Sequence, residues 1–141
     1  MPKKVNHGAA TALVRRDGAV LFILRSDSST INYPNHWGLP GGHVEDGEDF
    51  KFAAKRELKE ETGYISDDLN FLLEEKYLND KQKIIFRHIY WAKYDEKQKL
   101  NCFEGVRLCF FKPAEIDKLL TVPGQGRIAK LASQEMAKVK Q

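Results

Sequence analysis

An α/β fold, with helices packed against a sheet, is predicted from three observations. Strand-like apolar runs come first, at Ala9 to Val14 and Ala19 to Leu24; a proline-free helical stretch follows, from about Gly47 to Thr62; further strand-like runs and then two helices complete the order. That alternation suits an α/β sandwich better than an all-α or all-β architecture. The 141 residues, 42% of them apolar and without a long polar tract, are enough for one globular domain with a sizeable core and leave no room for a second.

The first two runs are joined through Arg15-Arg16-Asp17-Gly18, and Asp-Gly between apolar runs signals a hairpin. Arg25 ends the second strand. Ser26 to His36 is polar, with Asn32, Pro34 and Asn35, and reads as a loop leading into Trp37, which could then border a pocket. Gly38, Gly41 and Gly42 permit a tight backbone path close to a ligand, or simply turn the chain into the helix. Beyond the helix, Ser66-Asp67-Asp68 turns the chain, Phe71 to Leu78 reads as a strand, and Asn79-Asp80-Lys81-Gln82 turns it again. In Lys83 to Lys93, Ile85, Arg87, Ile89 and Trp91 alternate with Ile84, Phe86, His88, Tyr90 and Ala92. Apolar groups on both faces predict a central strand, with His88 a hydrogen-bonded strand histidine rather than a proton carrier. Leu108 to Phe111 makes a further strand, Pro113 opens a short helix, and Arg127 to Lys140 reads as an amphipathic helix with Ile128, Leu131, Ala132 and Met136 inward.

The chemistry concentrates in the first helix. Asp46 can cap it, Glu48 and Asp49 place negative charge on its first turn, and Gly63 supplies a stop. At about 100° per residue, Phe50, Ala54, Glu57 and Glu61 fall within roughly 60° of one another, so two carboxylates share the apolar side. Glu60 lies beside them, and Lys51, Lys55 and Lys59 form another side. Like charges in partial burial repel and lose hydration unless a cation joins them, and a hard divalent cation with oxygen ligands answers that need. Taken alone, the run Arg56-Glu57-Leu58-Lys59-Glu60-Glu61 still reads first as a solvated, salt-bridged helix face.

Its context changes the reading. Gly42, five residues, Glu48, seven residues, Arg56-Glu57-Leu58, one residue, Glu60-Glu61, one residue, Gly63 and a bulky apolar residue resembles the signature of the Nudix hydrolases. Seven identities at fixed spacing arise by chance on the order of once in 10⁸ starting positions. Tyr64 stands where the family usually has an aliphatic residue, a departure that concerns packing rather than chemistry. The preceding Trp37-Gly38-Leu39-Pro40-Gly41-Gly42 is similar to the family's approach to the motif.

The resemblance implies the Nudix fold, an α/β/α sandwich around a mixed curved sheet. It also implies a Mg²⁺-dependent hydrolase, with Mn²⁺ able to substitute, that cleaves the diphosphate linkage of a nucleoside diphosphate derivative by water attack on phosphorus. Glu57, Glu60, Glu61 and the Gly41 carbonyl would hold the metal, Arg56 would orient the glutamates, Glu48 would anchor the loop, and Arg25 would face substrate phosphate. Glu104 resembles the loop acid that serves many members as general base, a role that elsewhere falls to a motif glutamate. An added N-terminal domain of the kind associated with several dimeric ADP-ribose hydrolases of the family is not expected, which points to a nucleoside triphosphate or a small nucleotide sugar. The rival within this fold is a nucleotide-binding regulator without turnover, disfavoured by the intact charged residues.

Composition excludes other classes. The net charge is +3 and the basic residues are dispersed, with Lys3-Lys4, Lys138 and Lys140 reading as solvated ends; neither a duplex nor an RNA surface is indicated. No run approaches a membrane span or a secretory signal, so a cytoplasmic location is expected. Cys102 and Cys109 lack metal or redox spacing and are expected to be reduced. A small nucleotide is the expected partner, and monomer and homodimer stay equally open.

Overall fold

The computed structural model describes residues 5–139; Lys3, Lys4 and Lys140 lie outside the described residues. A mixed sheet in the order β3-β2-β1-β6-β5 forms the middle layer, with β4 added beside β1 and β7 beside β2. The strands are β1 (Val5–Val14), β2 (Val20–Leu24), β3 (Trp37–Gly38), β4 (Gly41–His43), β5 (Asn70–Leu78), β6 (Ile84–Lys93) and β7 (Arg107–Phe111). The helices are α1 (Phe50–Thr62), α2 (Pro113–Ile116) and α3 (Gln125–Val139).

Strand β1 organises the sheet because its small residues let both faces be covered. Ala9, Leu13 and Leu21 pack under Ala53, Ala54 and Leu58 of α1. Ala10, Ala12 and Val14 pack with Ile128, Ala129, Ala132 and Met136 of α3 on the opposite face. The period-two alternation of one strand thus feeds two cores, and the layers are α/β/α as expected. Strand β1 runs parallel to β6 from Val5↔Ile84 to Val14↔Lys93 and antiparallel to β4 from Gly8↔His43 to Ala10↔Gly41. It therefore begins four residues before Ala9, drawn out by pairing that periodicity alone does not reveal. β6 lies between β1 and β5, as its two apolar faces predict.

The Asp-Gly turn forms, with the Arg15 N–H donating to the Ala19 carbonyl at 2.7 Å. The strands pair only at Val14↔Val20 and then part, because β4 occupies the flank of β1 and β2 turns to β3 and β7.

The first helix starts at Phe50, not Gly47, and its cap is Asp49, not Asp46: the Asp49 carboxylate accepts the Phe52 N–H at 2.7 Å. Glu48 accordingly precedes the helix rather than sitting on its first turn. Gly63 ends it in the left-handed region at φ 80°, its N–H donating to the Lys59 carbonyl, a conformation that costs glycine little. The last helix begins at Gln125, earlier than expected, and Ala129 and Ser133 take buried positions while Leu131 is only half-buried. Cys102 is exposed, Cys109 half-buried, and both are free thiols. Among the described residues no helix is long and apolar enough to cross a membrane.

Candidate active site

The acids of α1 meet the short β3–β4 segment at one end of the sheet. Glu61 is buried, and its Oε1 accepts the Gly41 N–H at 2.7 Å. Glu57 lies against Gly42 so closely that a Cβ there would sit 2.5 Å from its carboxyl carbon. The glycine pair thus lets the β4 backbone reach both carboxylates, which the tight path read from the sequence anticipated only in outline.

Arg56 is the hub that holds the acids apart. Its Nε and Nη2 grip Glu48 at 2.6 and 3.0 Å, its Nη1 donates to Glu57 at 2.9 Å and to Glu60 at 3.1 Å, and Nη2 also reaches the His43 carbonyl at 3.0 Å. A planar guanidinium can serve this many acceptors at once where an ammonium cannot. Arg56 hydrogen bonding depresses the Glu48 carboxyl, which also accepts the Glu45 N–H and so ties the loop to the helix.

The electrostatics differ sharply along α1. Burial raises the Glu57 carboxyl despite Arg56. Burial and the neighbouring Glu104 and Glu57 carboxylates push Glu61 up to about 9, with the Gly41 N–H opposing them. Glu60 is mostly exposed and turned to Arg56, so it is the least constrained of the three glutamates. Among the described residues no three acidic, histidine or cysteine side chains form a ready-made metal centre. The donor chemistry nevertheless fits a hard divalent cation: oxygen ligands, partly buried, with Glu57, Glu61 and Glu104 repelling one another, Arg56 offsetting the charge at Glu57 and the Gly41 N–H that at Glu61.

Two cavities open beside these groups. The smaller, about 110 Å³, is lined by Glu61, Glu104, Arg25, Gly38 and Leu39 among others. The larger, about 170 Å³, includes Gly41, Gly42, Arg25, Gly38, Leu39, Tyr77, Arg87 and Gln125. Arg25, Gly38 and Leu39 belong to both, and the pair together approaches the low end of the roughly 300–1,000 Å³ common for small-molecule sites. A Cβ on Gly38 would lie 3.2 to 3.6 Å from Val122, Gln125 and Arg25, so the bare backbone keeps this junction open.

Glu57, Glu61, Glu104, Gly41 and Arg25 therefore come together, and Arg56 supports them from behind. Trp37 does not. It is buried against Phe111, ring centroids 4.8 Å apart, and lines neither cavity; its bulk supports β3 rather than touching a ligand. His88 hydrogen-bonds Glu74 at 3.1 Å and stacks on Phe50, outside both cavities. Sequence reasoning missed Arg87 and Gln125. For Arg87 a signal existed, a charged residue on the same strand face as Ile85, Ile89 and Trp91. Gln125 lies among Pro123, Gly124 and Gly126, ahead of the helix start expected at Arg127, where a breaker-rich stretch gives no sign of a buried side chain.

Comparison with known proteins gives the family and the fold. The NUDIX domain family model matches residues 5–132. Nudix hydrolase 25 of Arabidopsis thaliana is 38% identical over 69 residues, 49% of this chain and 37% of that protein. The m7GpppN-mRNA hydrolase NUDT17 of Xenopus laevis is 48% identical over 59 residues, 42% of this chain and 20% of that one. Nucleoside triphosphatase NudI of Escherichia coli is 41% identical over 51 residues, 36% of each chain. The match thus spans well under half the length of these relatives. Among solved structures, the MutT protein from Methanosarcina mazei Go1 shares the fold at TM-score 0.80 over 98% of this chain and 99% of that one, at 19% identity. The MutT NUDIX hydrolase from Burkholderia pseudomallei gives 0.77 over 91% and 97%, at 26% identity. With the family model covering residues 5–132 and the signature acids gathered beside one pair of cavities, the chain belongs to the NUDIX domain family.

Proposed function

We propose that this protein is a divalent-cation-dependent hydrolase of the diphosphate linkage in a nucleoside diphosphate derivative, a nucleoside triphosphate or nucleotide sugar, by attack of water on phosphorus. The observation that carries this reading is the convergence of Glu57, Glu61 and Glu104, which repel one another, beside a cavity that also contains Arg25. Glu57, Glu60 and Glu61, with the Gly41 carbonyl, would hold Mg²⁺, for which Mn²⁺ can substitute. When bound, the cation neutralises phosphate oxygens and lowers the pKa of the attacking water.

The chain's own groups supply the rest. Arg25 is anchored through Nε to the Asn32 carbonyl at 2.8 Å, which leaves its terminal nitrogens to grip a phosphate at the junction of the cavities. The Gly41 N–H and Arg56 hold the glutamates in place. Glu104, on the exposed loop facing Glu61, takes the proton from water as the bond to phosphorus forms. The anhydride oxygen leaves with its electron pair on the departing phosphate.

A panel of nucleoside triphosphates and nucleotide sugars, incubated with and without Mg²⁺ and assayed for released phosphate or pyrophosphate, tests the reading. Cation-dependent release supports it. Binding without any release under all conditions would mark a nucleotide-binding regulator instead.

A further inference from the structure

Asn32 and Tyr33 share one peptide group, and both of its poles are held by distant side chains. The Asn32 carbonyl accepts the Arg25 Nε–H at 2.8 Å, and the Tyr33 N–H donates to the Asp80 carboxylate at 3.0 Å. A carboxylate on the N–H side and a guanidinium on the carbonyl side polarise this peptide in the same sense, so each bond strengthens the other. Asp80 is exposed, 47 residues beyond Tyr33 in the chain, and lines neither cavity. Whatever it does for a ligand passes through the peptide.

The turn between β5 and β6 is built to present Asp80. Asn79 is buried, and its Oδ1 accepts the N–H groups of Lys81 and Lys83 at 2.9 and 3.0 Å. The Asn79 N–H donates to the Lys83 carbonyl at 3.0 Å, which closes the turn behind the aspartate. Lys81 adds a second tie to the same loop, its Nζ donating to the Ser29 carbonyl at 3.4 Å.

The loop needs such an anchor. Its ends are fixed, since the Arg25 N–H donates to the His36 carbonyl at 2.9 Å and the Asn35 N–H to the Ser26 carbonyl at 3.0 Å. Between them Tyr33 sits in the left-handed region at φ 49°, which a tyrosine keeps only where its surroundings compensate, and the bond to Asp80 is such a compensation. Asn32 and Tyr33 line the larger cavity and Ile31 the smaller, so the anchored segment borders both.

We propose that Asp80 is a positioning residue: acting through the Asn32–Tyr33 peptide, it fixes the Arg25 guanidinium at the junction of the two cavities and so prepares it for a substrate phosphate. This rests on the reading of Arg25 as a phosphate-gripping group in a nucleotide hydrolase. A guanidinium already bonded at Nε loses less freedom when its terminal nitrogens bind.

The test follows the Arg25 Nε–H by proton–nitrogen correlation NMR, and KM and kcat with Mg²⁺ for the panel of nucleoside triphosphates and nucleotide sugars, in wild type, Asp80→Ala, Asp80→Asn, Arg25→Ala and the Asp80→Ala, Arg25→Ala double variant. The Arg25 Nε–H should exchange slowly in wild type and faster in Asp80→Ala, whose KM should rise by roughly 3- to 10-fold, the net value of one hydrogen bond, with kcat little changed. Asp80→Asn should recover most of the loss, because its amide oxygen still accepts the Tyr33 N–H. Arg25→Ala should raise KM at least as far, and adding Asp80→Ala to it should add nothing. Unchanged KM and exchange in Asp80→Ala would overturn the proposal, as would an equal effect of Asp80→Ala with and without Arg25, which would mark a general loosening of the loop. A rapidly exchanging Arg25 Nε–H in wild type would overturn it even where the variants do not fold. If wild type hydrolyses nothing in the panel, the hydrolase reading falls alone: the Asp80 assignment is then decided by the Arg25 exchange and by calorimetry with inorganic pyrophosphate and Mg²⁺, whose affinity should weaken by the same factor in Asp80→Ala and whose constancy would overturn it.

Discussion

Burial and neighbouring carboxylates hold the Glu61 carboxyl at about 9, above its ordinary 4.5. A carboxyl raised in the folded state contributes stability that is complete below the ordinary value and is lost as pH rises through the folded one. In chelator, the melting temperature should therefore fall between about pH 4.5 and about 9, and Glu61→Gln should flatten that slope. A wild-type melting temperature independent of pH in this window would count against the account. Glu57→Gln and Glu61→Gln should each remove well over the roughly 10²-fold that one positioning contact is worth, with the fold intact by circular dichroism; near-normal kcat in both would sink the metal assignment. Glu104 differs in kind. If it is the base, Glu104→Gln should lower kcat with little change in KM and remove the acidic limb of the pH–rate profile. Rescue by raised Mg²⁺ would make it a ligand, and normal kcat at every pH would make it an ordinary loop residue.

At the scale of elements, α1 and the β3–β4 segment work as one device. Asp49 and Gly63 set its length and Arg56 spaces its acids. The half-buried Arg56 serves Glu48, Glu57, Glu60 and the His43 carbonyl. Arg56→Lys should thus cost about 2 kcal/mol in chemical denaturation and lower kcat as well, because an ammonium cannot reproduce the fork. Unchanged stability would mean that these contacts are replaced by water at no loss. Gly42→Ala is the sharper probe of the close approach: its Cβ would meet the Glu57 carboxylate at 2.5 to 2.8 Å, so Glu57 must move. Loss of turnover with a preserved melting temperature is expected, and full activity would show that Glu57 can serve from elsewhere. The helix itself was readable in sequence because capping, periodicity and a glycine stop are local; its start moved to Phe50 because Asp46 and Asp49 both qualify as caps and only packing against the sheet chooses between them.

For the whole molecule, acids from α1 and from the loop before β7 converge beside an arginine that follows β2. A divalent cation that binds only this folded arrangement should raise the melting temperature in proportion to the logarithm of its concentration once above its dissociation constant, and more so with a non-hydrolysable nucleotide, since Mg²⁺ gains much of its binding from substrate phosphates. The same gain with and without nucleotide would indicate a structural ion instead. The sequence alone determined the α/β class, the central place of β6, the apolar side of α1 and the spacing of Glu57, Glu60 and Glu61, because each depends on residues within a few turns or along one strand. Only the tertiary structure decided that Trp37 belongs to the core, that Glu60 turns to Arg56 while Glu61 is buried on the Gly41 N–H, and that Gln125 reaches Leu39 across the chain. Those outcomes depend on which surfaces the parallel pairing of β1 with β6 and the docking of α3 bring together, and contacts between residues so far apart in sequence leave no local period or motif to read.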